Sequence, residues 1–238
     1  MPLELQDRQL GRVVVVNATG RIVAGPEAQM FEAHVNKLCA DCRALVLDVA
    51  EVNFIDSSGL GTLVRLAARI RRSGGDLKLC AAPPPVQRLL KLTNLLQVFD
   101  VHESEVEAVA AFYGRSRPAE AKSDAGACRV LCIHPSVDTL VYLREVLRRS
   151  GYDAITTSNV PDAIVLLKAT APALVVLADE MQSARGRATA AMLQEVRPGV
   201  PVIALQEDFS QREAGEAGDW LLQAVRSHLG TASAGQQS

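Results

Sequence analysis

The stretch NFIDSSGLGTLV, Asn53 to Val64, joins the end of an apolar strand to the start of an apolar helix. Between them stand an acid, Asp56, two adjacent serines, Ser57 and Ser58, and two glycines, Gly59 and Gly61. A serine in front of a helix satisfies orphan backbone amides and contributes about 1 kcal/mol as an N-cap. The glycines have no part in such a cap. They lower helix propensity and let something approach the backbone closely. The stretch admits two readings, a helix cap or a working surface centred on the Ser57 hydroxyl.

Working outward, Arg12 to Val16 and Ala44 to Val49 read as strands, the second of them buried. Between them, Gly25 to Leu38 carries Ala28, Phe31, Val35 and Leu38 at helical spacing. Leu60 to Arg72 is a helix with an apolar stripe of Leu63, Leu66, Ala67 and Ile70, and Arg65, Arg69, Arg71 and Arg72 mostly outward. Gly74-Gly75 stops it, as a left-handed C-terminal cap would. Leu77 to Cys80 reads as a short strand, Pro83 to Pro85 as a stiff turn and Val86 to Leu90 as a short helix. A strand from Val98 to Val101 and a helix from Glu103 to Phe112 close an α/β domain over residues 1–113.

The patterning then changes. Residues 114–127, GRSRPAEAKSDAGA, have linker composition. Residues 128–229 form a second block of alternating strands and helices. The strands are Val130 to Ile133, Ala154 to Thr157, Ala173 to Leu177 and Val200 to Leu205. The helices are Leu140 to Leu147, Ala163 to Leu167, Ala188 to Val196 and a closing Trp220 to Leu229. Repeated βα units imply a doubly wound parallel sheet with its working edge at the strand C-termini. Residues 230–238, GTASAGQQS, are expected to be a disordered tail.

Composition narrows the function. A net charge of −2 gives no reason to expect direct nucleic-acid contact or an anionic membrane surface. Aromatics at 4% offer no stacking platform for single strands. The first apolar run, Val13 to Val16, is too short for a signal peptide or a membrane span, so a cytoplasmic protein without membrane insertion is expected. Cys39 and Cys42 have metal or redox spacing, but no second pair follows, and they read as reduced thiols at a helix end. Cys80, Cys128 and Cys132 read as strand core, and His134 as a solvated loop residue. No nucleophile, metal or phosphate-loop constellation stands out, so no enzymatic activity, metal or cofactor is expected.

The first block resembles the STAS domain, the fold shared by anti-sigma factor antagonists and the tails of sulfate transporters. The resemblance rests on Gly20-Arg21-Ile22-Val23, Val46-Leu47-Asp48-Val49, Phe54 through Gly61, Gly74-Gly75-Asp76-Leu77 and Leu92-Thr93-Asn94-Leu95, in the family's order. It implies a mixed sheet with helices packed on it. It implies phosphorylation of the serine directly after the motif aspartate, here Ser57, by a kinase that is also the anti-sigma factor. It further implies a PP2C-type phosphatase, and partner contacts by Asp56, Ser58, Gly59, Leu60 and Gly61. Many antagonists carry an aspartate in the turn after the first strand, where this chain has Arg21-Ile22-Val23. A phosphoserine adds about −1.5 to −2 charges at pH 7, tolerable at a free helix N-terminus and repulsive inside an interface.

The second block resembles a response-regulator receiver domain of flavodoxin-like type, truncated near its fourth helix and fifth strand. Its chemistry departs from that pattern. His134 and Pro135 stand where the family places its metal-binding acids, Ala178 at the phosphoacceptor position and Gln206 at the hydroxyl position. No lysine follows Lys168. The resemblance implies an inactive pseudo-receiver used for protein interaction or homodimerisation. Two functions stay open: a phosphorylation-controlled antagonist in transcription regulation, or a non-switching STAS adaptor or ligand-binding scaffold in which Ser57 is only a helix cap.

Overall fold

The computed structural model describes residues 2–38, 43–114, 128–181, 183–184, 187–206, 209 and 214–234. The chain divides into two compact units, Met1–Phe112 and Tyr113–Ser238.

The first unit is built on a five-stranded sheet of order β1-β2-β3-β4-β5, comprising β1 (Glu4–Leu10), β2 (Val13–Ile22), β3 (Ala44–Ile55), β4 (Asp76–Cys80) and β5 (Asp100–His102). β1 runs antiparallel to β2, and every other pair is parallel, which makes the sheet mixed. Parallel neighbours need crossovers. These are α1 (Pro26–Leu38), α2 (Ser57–Arg72) and α3 (Pro84–Leu92). Phe31 and Val35 of α1, Leu63, Leu66 and Ile70 of α2, and Val86 and Leu90 of α3 share one core with Val14, Val16, Leu45 and Leu47 of the sheet. The opposite face meets α4 (Glu105–Gly114): Arg8 of β1 is ion-paired to Glu105, and the Lys78 ammonium of β4 lies over the Phe112 ring.

Several expectations shift. β1 lies in a stretch whose pattern suggests no strand, because only Leu10 within it is buried. It is an edge strand held by its ladder to β2, with Gly11 turning the hairpin at φ +58. β2 continues to Ile22 through two register shifts, which carry its end to the start of α2. Pro84 and Pro85 are the first residues of α3 instead of a turn before it, since the first helical positions need no N–H donor. The stop after α2 falls as expected. Gly74 takes φ +81 and the Gly75 amide donates to the Ile70 carbonyl at 2.9 Å.

The second unit holds a four-stranded, all-parallel sheet of order β11-β8-β6-β7, with β6 (Arg129–Ile133), β7 (Asp153–Thr157), β8 (Leu174–Ala178) and β11 (Val202–Leu205). A two-residue ladder of β9 (Ser183–Ala184) and β10 (Arg187–Ala188) stands apart from it. The helices are α5 (Val137–Arg149), α6 (Val160–Thr170), α7 (Thr189–Val196) and α8 (Ala214–Ala234). Val130, Cys132, Leu174 and Val176 pack with Leu143 and Leu147 of α5 and with Leu221 and Val225 of α8. The alternate residues Leu131, Val175 and Leu177 point to the other face, and all three are buried. Among the described residues no fifth strand joins this sheet. α8 runs to Ala234, so Gly230 to Ala234 are helical where a tail was expected. Residues 235–238, the linker from Arg115 to Ala127, and Cys39 and Cys42 lie outside the described residues. Cys80 and Cys132 are buried in strands, whereas Cys128 is only half-buried and precedes β6.

Candidate functional site

The start of α2 is capped by Asp56. Its backbone is extended, φ −89 and ψ 177, and its carboxylate faces back along the helix. Oδ1 accepts from the Gly59 amide at 2.7 Å, and Oδ2 accepts from the Ala24 amide at 2.9 Å. The Asp56 amide in turn donates to the Ile22 carbonyl at 3.2 Å. One side chain closes the helix end and ties it to the connection between β2 and α1. This corrects the reading of Ser57 as a helix cap. Ser57 and Ser58 are the first two helical residues, both exposed. Among the described residues no group hydrogen-bonds to the Ser57 hydroxyl.

The amides of Gly59 and Ala24 hold the Asp56 carboxyl below its ordinary value, burial opposing them weakly and Arg21 adding to the depression. A carboxyl depressed on folding contributes stability above its unfolded pKa and loses it as pH falls through the folded one. The melting-temperature gap between wild type and Asp56→Asn is therefore expected to be constant above about pH 5 and to narrow below about pH 4. A gap that does not vary between about pH 3 and 7 contradicts this role for the ionised carboxylate.

The two glycines behave differently. A Cβ on Gly59 would sit 2.1 Å from the Ile22 carbonyl oxygen. The close approach that this glycine permits is made by the chain's own β2, which gives Gly59 a packing role. Leu60 is likewise core, 7% exposed. A Cβ on Gly61 meets only an Arg65 nitrogen at 3.5 Å, an ordinary contact. Of the residues expected to face a partner, Ser58 and Gly61 reach the surface beside Ser57, and Asp56 is half-buried beneath them.

Around Ser57 lies a shallow open depression between α1 and α2, lined by Gln29, Glu32, Ser57, Ser58, Gly61 and Arg65 among others. Arg65, invisible as a site residue in the sequence, lies along α2 toward Gly61. It donates to Thr62 Oγ1 at 2.8 Å, and Thr62 Oγ1 donates to the Ser58 carbonyl at 3.1 Å. Beside the depression's strand edge, the Arg21 guanidinium stacks over the exposed Phe54 ring at 5.4 Å.

A second polar grouping lies on the α4 side of the same sheet. The register sets Asp48 beside Cys80 and Cys80 beside His102, with Asp100 Oδ1 3.4 Å from His102 Nε2. A thiol, an imidazole and a carboxylate are the parts of a nucleophilic site. Here burial pushes the Cys80 thiol far up, and Asp48 and Glu105 push it further, so it is held protonated.

In the second unit, Ala178 ends β8 and is buried, while Asp179, in the 3-10 turn that follows, is exposed. Pro135 and Gln206 are exposed. His134 is corrected from a solvated residue to one only 6% exposed. Its amide donates to the Thr157 carbonyl, and its Nδ1 accepts from the Ser136 amide at 3.0 Å; burial lowers its pKa while Glu180 opposes. Among the described residues no cluster of His, Cys, Asp or Glu could hold a metal ion, and no helix is long and apolar enough to cross a membrane.

The first unit is thus an α/β domain of mixed sheet with an open polar depression at the start of α2. The STAS domain family matches residues 4–108. An anti-sigma F factor antagonist of Paenibacillus polymyxa is 35% identical over 68 residues, covering 29% of this chain and 58% of that protein. A Thermotoga maritima protein assigned as an anti-sigma factor antagonist is 31% identical over 80 residues, covering 34% of this chain and 68% of that protein. The solved structure of an anti-sigma factor antagonist from Mycobacterium paratuberculosis aligns at 26% identity with a TM-score of 0.42, over 46% of this chain and 92% of the other. Through its first unit the chain belongs to the STAS domain family. It spans about three fifths of the length of the first curated relatives it matches, at 58% and 60%.

Proposed function

We propose that the protein is an anti-sigma factor antagonist. Its STAS unit binds an anti-sigma factor with serine-kinase activity while Ser57 carries a free hydroxyl, and phosphorylation of Ser57 releases that partner. A PP2C-type phosphatase resets the switch. The observation that carries this reading is the position of the cap. Because Asp56 closes the helix, the exposed Ser57 hydroxyl has no structural duty among the described residues and stands open to a modifying enzyme. The names of the relatives support the same direction.

The domain division at 1–113, 114–127 and 128–229 belongs to this proposal. So does the reading of the second unit as a receiver-like module for interaction or homodimerisation. Support comes from the parallel order β11-β8-β6-β7 and from His134, Pro135, Ala178 and Gln206, which lack a phosphoacceptor carboxylate and its acid pair. The test is capture from a host lysate on wild type, Ser57→Ala and Ser57→Asp. A histidine-kinase-like ATPase is expected with the alanine variant and absent with the aspartate variant. Equal capture on all three baits would leave a non-switching adaptor.

A further inference from the structure

Arg65 is placed to receive the charge of a phosphate on Ser57. Ser57, Gly61 and Arg65 follow one another at four-residue spacing on α2, so they lie one above another on a single face. Helical side chains lean toward the N-terminus. The Arg65 guanidinium does so, with Nη1 3.5 Å from where a Gly61 Cβ would be. Neighbours at this spacing are about 5–6 Å apart at their Cβ positions, so the guanidinium lies about one turn from the Ser57 hydroxyl with no side chain between them. Both residues line the same depression. Besides its hydrogen bond from Nη2 to Thr62 Oγ1, Arg65 has a loose ionic partner: Nε is 3.9 Å from the Glu32 carboxylate, and the two side chains are 62% and 39% exposed. An exposed pair of that length is weak. A phosphate dianion offers three acceptor oxygens and the stronger charge-assisted fork that suits arginine.

We infer that Arg65 is the positioning residue for phosphoserine 57. It exchanges its contact with Glu32 on α1 for the phosphate and fixes the modified serine over Gly61. The inference rests on Ser57 being the modified residue. The small side of Gly61 keeps the path open, which gives this glycine a reason that the packing of the free domain does not supply. The charged groups that line the depression are Arg65 of α2 and Glu32 of α1; close by are Glu27 of α1 beside Gly25, Asp56 before the helix and Arg21, whose charge acts on Asp56. The arginines lower the second pKa of the phosphate and the carboxylates raise it, and Arg65 is the group whose removal is read.

The experiment installs phosphoserine at position 57 of the full chain during translation and follows its phosphorus resonance from about pH 4.5 to 8, across the ordinary second pKa of about 6. It compares the parent with Arg65→Gln and with Arg72→Gln, which removes the same charge from an exposed residue further along α2. Arg65→Gln is expected to raise the second pKa by about half a unit or more, and Arg72→Gln to leave it unchanged. Coincident titrations of Arg65→Gln and the parent overturn the inference, as does an equal rise in both variants, which would reveal only a diffuse field. Because no kinase is used, the titration reads Arg65 independently of whether a kinase acts on Ser57. That reading fails separately, by absence of phosphate on the unmodified chain.

Discussion

Gly59→Ala is expected to destabilise the STAS unit by about 3 kcal/mol or more, at or beyond the upper end of ordinary overpacking. The added methyl would stand 2.1 Å from the carbonyl oxygen and 2.8 Å from the carbonyl carbon of Ile22. Both are backbone atoms, and neither can swing aside as a side chain would. The same carbonyl accepts from the Asp56 amide. Relief therefore requires parting α2 from β2 and disturbing the cap. Gly61→Ala has the opposite expectation. Its methyl meets only a flexible arginine, so the gain in helix propensity, about 1 kcal/mol at most, is the main effect on the fold. The single tryptophan, Trp220, belongs to the second unit, so a probe within the first unit is used. Hydrogen exchange in peptides covering β2 and α2 is that probe. Similar protection in the Gly59→Ala and Gly61→Ala proteins would show that the close approach at Ile22 is not a constraint.

The second large effect concerns binding. Ser57→Asp is expected to weaken capture of the anti-sigma partner more than a hundredfold, equivalent to a loss of about 3 kcal/mol. Ser57→Ala is expected to bind as wild type does. The physical cause is a charge placed where a partner must exclude water, next to the already ionised Asp56, whose carboxylate is committed to two backbone amides and cannot neutralise it. The free domain tolerates the same charge, because the start of a helix favours an anion. All three forms are therefore expected to melt alike, within about 0.5 kcal/mol for an exposed position. Calorimetric titration against the isolated partner, with melting curves alongside, checks both halves. Equal affinities of the alanine and aspartate variants would remove the charge from the mechanism.

Much of the fold was legible because it rests on periodicity. The stripe of Leu63, Leu66 and Ile70 defines α2, and Gly74-Gly75 ends it where the backbone turns left-handed. β1 was hidden because an edge strand with one buried side chain has almost no apolar signature, and its stability comes from the ladder to β2. The candidate site was legible in its location and ambiguous in its register. Asp56, Ser57 and Ser58 are all residue types that cap helices, and only backbone geometry separates the cap from the first turn. Gly59 and Gly61 look equivalent in the sequence. What distinguishes them is Ile22, which β2 brings across from a distant part of the chain. In the sequence Arg65 is only an outward charge on α2, and its approach to Gly61 follows from the direction of its side chain. The burial of His134 is not visible in the sequence, because a loop position after β6 gives no sign that Thr157 and Ser136 will satisfy it.

The central claim is that Ser57 is the switched residue. It is tested most directly by incubating the full chain with the captured ATPase and ATP and mapping phosphate by mass spectrometry. The account predicts a single phosphate, on Ser57, and none on the Ser57→Ala protein. Phosphate on Ser58 or elsewhere with Ser57 bare, or an unmodified chain under conditions where the ATPase is active, would contradict it.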